Sequence, residues 1–473
     1  MLFNSMTFVV FFAVVLALHH APFGSWRIKK IQLLLASYLF YAAWNPPFVL
    51  LLWISTIVDW NVAKRIHTAE TIGKRRGWML ASVLVNLGIL GYFKYGGFLL
   101  ANWVALMGSA GIEWQAPDWN IILPVGISFY TFQTMAYSLD VYLRRAEPSK
   151  SLLDFSLFVT FFPQLVAGPI VRPTDLIPQF AEKPAPRRGR FTWGLSLMVL
   201  GMFQKIVIAD AALAPAAEKV FEAGGKLFWI DAWLGTLAFS GQIFCDFAGY
   251  STTAVGAAMV LGFSLPNNFR FPYAAIGFSD FWRRWHISLS TWLRDYLYVP
   301  LGGNRKGPAR TYVNLAVTML LGGLWHGASW TFVVWGGLHG LYLGVERFIR
   351  ERVGPTRLSN TLPFQIALAM VTYFLVNLTW VFFRAKEFDT AWRMISSMLT
   401  FGAGDRVLPG VEIVLVGFTI FAILFVHGRM REKRLEDVVA RTPWWVTAIV
   451  VAFMLFATII TQGSNDAFIY FQF

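Results

Sequence analysis

The strongest constraint on this chain is that its apolar residues come in long runs, set apart by short clusters of lysine and arginine. The runs are 2–21, 31–44, 48–62, 78–94, 98–106, 121–143, 152–170, 191–212, 229–263, 312–348, 362–383, 411–426 and 444–461. About 20 apolar residues are needed for a helix to cross the hydrocarbon layer. Within that layer each backbone N–H and C=O must be bonded inside the protein, which helices achieve on their own. The chain therefore reads as an all-α polytopic membrane protein. With 56% hydrophobic and only 14% charged residues, against about 25% charged in soluble chains, it is neither a soluble enzyme nor a disordered tail. Several runs are too short to cross alone, and Pro46-Pro47, Pro163 and Pro169 interrupt others. Broken or re-entrant pieces are expected there, and they are tolerated only when buried in protein or lining a cavity.

The net charge of +14 follows from where the cations lie. Clusters at 27–30, 64–76, 144–150, 172–190, 270–310, 347–357 and 429–441 hold 32 of the 40 lysines and arginines. Such clusters mark cytoplasmic loops, so the charge needs no nucleic-acid partner. Segment 114–120 is poor in basic residues and is placed outside. The last cluster precedes one final apolar run, which puts the tail, 462–473, outside as well. The apolar stretch at 7–18 has no basic residue before it and no small-residue cleavage site after it, so it is expected to be retained as a span. We expect one domain over 1–473, without internal repeats. The single cysteine, Cys245, cannot form an internal disulfide.

Two segments carry candidate chemistry. In the first, Ser279 and Asp280 are suited to open a helix. Trp282, Trp285, Leu289, Trp292 and Tyr296 then recur at spacings of three and four, which is one helical face. This predicts a continuous amphipathic helix over 279–296 lying at the cytoplasmic interface. Interfacial anchoring accounts for its tryptophans and most of its arginines. It accounts less well for His286, at the edge of the apolar face, because an inward imidazole needs a polar partner.

The second segment is 312–348. As one helix its 37 residues would be about 55 Å long, and basic clusters flank both ends, so it must enter and return. Gly322-Gly323, Gly327 and Gly336-Gly337 are the break points on offer, and Gly323/Gly327 and Gly336/Gly340/Gly344 have the spacing of closely packed helices. His326 then lies about 23 Å in. An ionisable group at such depth is a functional-site hypothesis by default. A neutral imidazole there can take the proton of a hydroxyl as it attacks a carbonyl, with Gly327 leaving room for substrate. The competing reading is a histidine that bridges two helices by hydrogen bonds. His339, among packing glycines, suits that role; His19, His20, His67 and His427 fall near span ends and are expected to be solvated. No metal-ligand spacing, phosphate loop or nucleophile elbow is present.

The motifs Phe281-Trp282-Arg283-Arg284-Trp285-His286-Ile287-Ser288-Leu289-Ser290, Leu301-Gly302-Gly303-Asn304 and Gly323-Leu324-Trp325-His326-Gly327-Ala328 resemble the membrane-bound O-acyltransferase (MBOAT) family, closest to the AlgI-type proteins of exopolysaccharide acetylation. Gly91-Tyr92-Phe93-Lys94-Tyr95 and Leu123-Pro124-Val125-Gly126 extend the likeness over most of the chain, with a signature core at about 265–350. The resemblance implies a ring of about eleven transmembrane helices, with re-entrant and amphipathic helices, around a central tunnel. It implies catalytic roles for His326 and His286, and a tunnel site including Trp325, Gly327, Trp285 and Asp295. A cytoplasmic acyl thioester, acetyl-CoA, would be the co-substrate, with no bound cofactor; Arg283, Arg284, Arg305 and Lys306 are candidates for its phosphates, as membrane headgroups are for them. The chain would lie in the bacterial inner membrane, and the acyl group would reach a polysaccharide (alginate, cellulose or peptidoglycan) through an extracytoplasmic acetyltransferase partner.

The tail contains Tyr470, which is either an interfacial aromatic or an acyl relay, since a phenolate leaves an ester more readily than an alkoxide. Two other classes remain open. A transporter or flippase would do no covalent chemistry, although many transporters carry internal repeats, which this chain lacks. A scaffold of a synthase complex would not need His326.

Overall fold

The structure, a computed structural model, describes residues 1–117, 121–184, 189–354, 358–402 and 404–461. In chain order the helices are α1 (Met6–His20), α2 (Trp26–Ala42), α3 (Val49–Thr68), α4 (Ile72–Leu90), α5 (Gly96–Ser109), α6 (Ile127–Tyr142), α7 (Leu152–Thr160), α8 (Phe162–Leu165), α9 (Pro173–Ala181), α10 (Arg190–Met202) and α11 (Ala214–Glu222). They continue with α12 (Trp229–Val260), α13 (Phe278–Trp282), α14 (Ile287–Leu293), α15 (Pro308–His326), α16 (Trp330–Val353), α17 (Leu362–Arg384), α18 (Phe388–Leu399), α19 (Gly410–Met430), α20 (Leu435–Arg441) and α21 (Trp444–Thr461). Among the described residues, seven helical stretches are long and apolar enough to span a membrane: Pro46–Thr68, Ile72–Ser109, Arg190–Glu222, Trp229–Val260, Leu362–Arg384, Gly410–Met430 and Trp444–Thr461. The all-α polytopic expectation is met. The runs 78–94 and 98–106 are one long helical stretch, joined by the π-helical turn Gly91–Tyr95. The run 152–170 does break, at Phe161, between α7 and α8.

Backbone contacts group the residues into two compact units, 1–195 with 254–266 and 196–253 with 267–473. In the first unit, α3, α4 and α6 meet around Asp59, which is fully buried. Its carboxylate accepts from the Ser82 hydroxyl, from Asn86 Nδ2 (2.8 Å) and from the Ser138 hydroxyl (2.9 Å). Asn86 accepts in turn from Thr134 (2.9 Å). Lys30 on α2 bonds Asp154 in α7 at 2.5 Å. Polar groups so enclosed are costly unless bonded, so these contacts fix which helix faces meet.

The second unit is built around a cluster of large rings, with Trp285, Trp335 and Trp380 at most 1% exposed. It contains the segment expected to go in and come back, and it breaks at Gly327. α15 runs 19 residues, or about 28 Å, and α16 returns beside it. A Cβ on Gly336 would lie 2.3 Å from the Met319 carbonyl oxygen and 3.1 Å from Gly323 Cα, so the two backbones touch where those glycines cross. The space beside Gly327 holds the Phe332 ring rather than standing open for substrate, since a Cβ there would sit 2.1 Å from it.

The amphipathic helix expected over 279–296 is interrupted. Helix α13 starts at Phe278 with Gly277, not Ser279, as its cap; the Phe278 and Ser279 N–H groups donate to Glu346 Oε2 at 2.5 and 3.0 Å. After Trp282 the chain leaves the helix. The Arg284 carbonyl accepts from Arg270 N (2.9 Å), and Ile287 N donates to the Asn268 carbonyl (2.9 Å). Between them His286 takes left-handed dihedrals, φ 43° and ψ 55°, rare for a residue with a side chain. Pairing with segment 268–270 therefore replaces helical bonding, and the tryptophans do not lie along one interfacial face. Trp285 packs inside the unit, 5.0 Å from Trp380.

The Gly323/Gly336 crossing predicts different outcomes for adjacent glycines. Gly336→Ala should lower the melting temperature in detergent, the overpacking costing about 1–3 kcal/mol. Gly337→Ala, whose Cβ would meet only a leucine methyl at 3.5 Å, should leave it unchanged. Equal melting of the two variants would contradict the packing described.

Candidate active site

The end of α15 and the break after α13 bring two histidines of the second unit together. His326 is the last residue of α15 and 3% exposed; His286 is fully buried. Their ring centroids lie 6.3 Å apart. Trp325 stands edge-on to both, at 5.7 Å from His286 and 5.0 Å from His326. Trp335 and Phe383 complete the surround of His326 at 4.9 and 5.4 Å, and Phe247 packs against His286 at 4.6 Å. Among the candidates His326, His286, Trp325, Gly327 and Trp285, all lie in this unit. His326, Trp325 and Gly327 are consecutive at the α15 turn, while Trp285 immediately precedes His286 and stacks on Phe281 (5.7 Å).

The orientation of His286 follows from Asn268, a residue the sequence reading did not single out. Asn268 Oδ1 accepts from the Ser288 backbone N–H (3.1 Å) and hydroxyl (2.9 Å). A backbone N–H can only donate, so this atom is the amide oxygen, and the third contact, His286 Nδ1 at 3.3 Å, must be a donated N–H. That sets the tautomer: the proton sits on Nδ1 and Nε2 presents its lone pair. Burial draws the His286 imidazole down to about 3, so it is neutral at ordinary pH. The only sequence signal for Asn268 was its place in Pro266-Asn267-Asn268-Phe269, a short polar stretch between apolar ones.

The remaining candidates are scattered. Asp295, on the π-helical turn Arg294–Tyr298, is bonded by Arg294 at 2.7 and 3.2 Å. Arg283, Arg305 and Lys306 are exposed. Arg284 is buried, and its guanidinium is engaged by Asp280 Oδ1 (2.9 Å), the Arg431 carbonyl (2.8 Å) and Glu432 Oε1 (3.0 Å). Burial by itself would raise the Asp280 carboxyl; the Ile276 N–H and the Arg284 and Arg431 guanidiniums outweigh it and hold the group below the usual range. This cluster, with Glu346 capping α13, anchors the turn that carries His286. Tyr470 lies outside the described residues. His339 bridges α16 and α17 through Thr379 (3.0 Å), as expected for a packing histidine. His427, expected to be solvated, is instead buried, with Nδ1 accepting from Tyr273 N at 3.2 Å. Among the described residues no group of three or more histidines, cysteines or carboxylates is placed to hold a metal.

Residues 143–386 match the model of the membrane-bound O-acyltransferase family. The probable alginate O-acetylase AlgI of Azotobacter vinelandii is 42% identical over 405 residues, 85% of this chain and 79% of that protein. Its counterpart in Pseudomonas putida is 37% identical over the full length of both chains. The peptidoglycan O-acetyltransferase of Helicobacter pylori is 36% identical, covering 84% of this chain and 80% of its own.

Because Asn268 accepts from His286 Nδ1, Asn268→Leu should cut acyl transfer by about 10–100-fold, the range seen when the partner that orients a metal-bound histidine is lost. Asn268→Gln, which keeps a neutral acceptor amide, should retain more activity. The check is turnover of both variants at matched abundance and melting temperature; equal losses would exclude a tautomer effect.

Proposed function

The chain belongs to the membrane-bound O-acyltransferase family, and from that premise we propose that it moves acetyl groups from a cytoplasmic thioester, acetyl-CoA, to an exopolysaccharide of the alginate type. It is a multi-pass O-acyltransferase of the inner membrane. The observation that carries the proposal is the pairing of His286 and His326 in one ring-lined cluster, in a chain 42% identical to an alginate O-acetylase. The finer architecture we propose is the family's ring of about eleven spans, with re-entrant and amphipathic pieces around a tunnel, forming a single domain with its signature core at about 265–350.

In this reading His326 is the general base. It takes the proton of the acceptor hydroxyl as that oxygen attacks the thioester carbonyl. The C–O bond forms and the C–S bond breaks, and the imidazolium returns the proton to the leaving thiolate, so that free CoA thiol departs. His286, neutral and donating through Nδ1, offers Nε2 as an acceptor beside it. Trp325 packs edge-on against both rings, and Gly327 lets Phe332 pack at the α15 turn. Arg283, Arg305 and Lys306, exposed and basic, would attract the donor's phosphates; Arg284 and Asp295 act through the local structure. The acceptor hydroxyl is either that of the polymer, presented by an extracytoplasmic partner, or the phenol of Tyr470, whose ester then passes acetyl on to that partner.

Purified protein given acetyl-CoA should release free thiol, and His326→Ala should reduce this to the background rate. A transporter would show no histidine-dependent thiol release, and a scaffold would leave polymer acetylation intact in the same variant. For the relay, Tyr470→Phe should abolish polymer acetylation at unchanged protein abundance; normal acetylation would remove Tyr470 from the pathway.

A further inference from the structure

A second candidate site lies in the first unit. A cleft of about 480 Å³ opens where the end of α1, the start of α2, the first residues of α10 and the last turn of α12 come together. Among the described residues, five basic or imidazole side chains line it, Lys29, Lys183, Arg190, His19 and His20, and no aspartate or glutamate does. Basic clusters at 27–30 and 172–190 contribute to it, so it faces the side they assign to the cytoplasm.

The local chemistry favours an anion. Helix C-termini carry partial negative charge, and two of them end here, but their carbonyls are already covered. Lys29 Nζ donates to the carbonyls of Leu18 (2.6 Å) and Ala21 (2.9 Å) at the end of α1. His19 and His20 reach Leu261 O and Val260 O at the end of α12, each at 3.0 Å; a carbonyl only accepts, so each imidazole donates Nε2–H. Helix α12 closes in turn on Gly262, at φ 95°, with Phe263 N donating to Ala258 O at 2.8 Å, the backbone form that satisfies final carbonyls. Lys29 is 7% exposed, has no carboxylate partner among the described residues, and retains one N–H beyond its two bonds. A buried cation without a counter-charge is costly, and a bound anion would remove that cost. Pro22, Trp26, Phe191 and Met259 supply an apolar wall beside the cations.

We propose that this cleft binds a phosphate-bearing group, with Lys29 at its floor and Lys183 and Arg190 at its mouth. Charge and size suit the headgroup of an anionic phospholipid and equally the nucleotide phosphates of a thioester donor. The site does not depend on the function proposed above, since binding can be read without turnover.

The test uses delipidated full-length protein in a zwitterionic detergent. It is titrated with short-chain phosphatidylglycerol, with short-chain phosphatidylcholine, and with adenosine 3′,5′-bisphosphate, and the shift in melting temperature is followed. The expected result is a saturable shift with one of the two phosphate probes beyond that of phosphatidylcholine, weakened by salt and at least tenfold weaker in affinity for Lys183→Gln/Arg190→Gln. A response to phosphatidylglycerol identifies a lipid; a response to the bisphosphate identifies the donor nucleotide. Lys183→Gln alone, at an exposed position, covers the case in which the double variant is unstable. No shift with either probe, or shifts that the substitutions leave unchanged, would overturn the site.

Discussion

Everything about the histidine pair depends on one requirement, that backbone N–H and C=O groups enclosed in apolar surroundings find partners. A continuous helix over 279–296 would have met it internally. The chain breaks that helix and meets it differently, with Arg284 O bonded to Arg270 N and Ile287 N bonded to Asn268 O. The segment at 268–270 thus serves twice. Its backbone supports the break, and its Asn268 side chain holds the imidazole that the break turns inward. A left-handed residue costs about 1–3 kcal/mol and persists where the surroundings over-determine it, often at a functional site. Here the two backbone bonds and the Asn268 amide supply that determination.

The glycine crossing does for His326 what segment 268–270 does for His286. Because Gly323 and Gly336 bring backbones into contact, α15 and α16 diverge little on either side, and the turn at Gly327 is short. His326 therefore ends its helix inside the unit. His339 shows the contrast. It is as buried and has rings of its own around it, including Trp335 at 4.7 Å, but it lies mid-helix and is bonded to Thr379 on α17. Burial and aromatic company do not separate the two histidines. Their positions do, since a residue at a helix end can be approached from the side where the helix stops.

Long-range features of this fold were legible in its sequence and local departures were not. Run lengths and charge clusters gave the helical, membrane-spanning class, because both follow from the bilayer acting as solvent. The return within 312–348 followed from its length and the basic clusters at both ends, and its turn fell at a glycine already marked. The break at His286 could not be read, because Trp282, Trp285, Leu289 and Trp292 keep helical spacing through it. What overrides that spacing is pairing with residues some eighteen positions earlier, and no periodicity within the segment reports a distant partner. The burial of His427 was missed for the same reason. It sits at the end of an apolar run, where solvent is the default, but Tyr273 and Phe244 from elsewhere in the unit enclose it. Asn268 had no signal beyond its polarity.

The charged residues inside the second unit obey one further rule. Lys205, 3% exposed, bonds Asp210 at 2.8 Å and Asp246 at 2.5 Å, and Asp246 adjoins Phe247, the ring set against His286. Arg284, next but one to His286, is matched by Asp280 and Glu432. Lys205 and Arg284 thus each have carboxylates within bonding distance. Among the described residues, rings pack against both imidazoles, and the Asn268 amide meets His286. An unmatched carboxylate next to either ring would favour imidazolium and remove the lone pair that proton abstraction requires. Burial draws the His286 imidazole down to about 3 and so keeps that ring neutral, while the ion pairs nearby hold the turn that carries it.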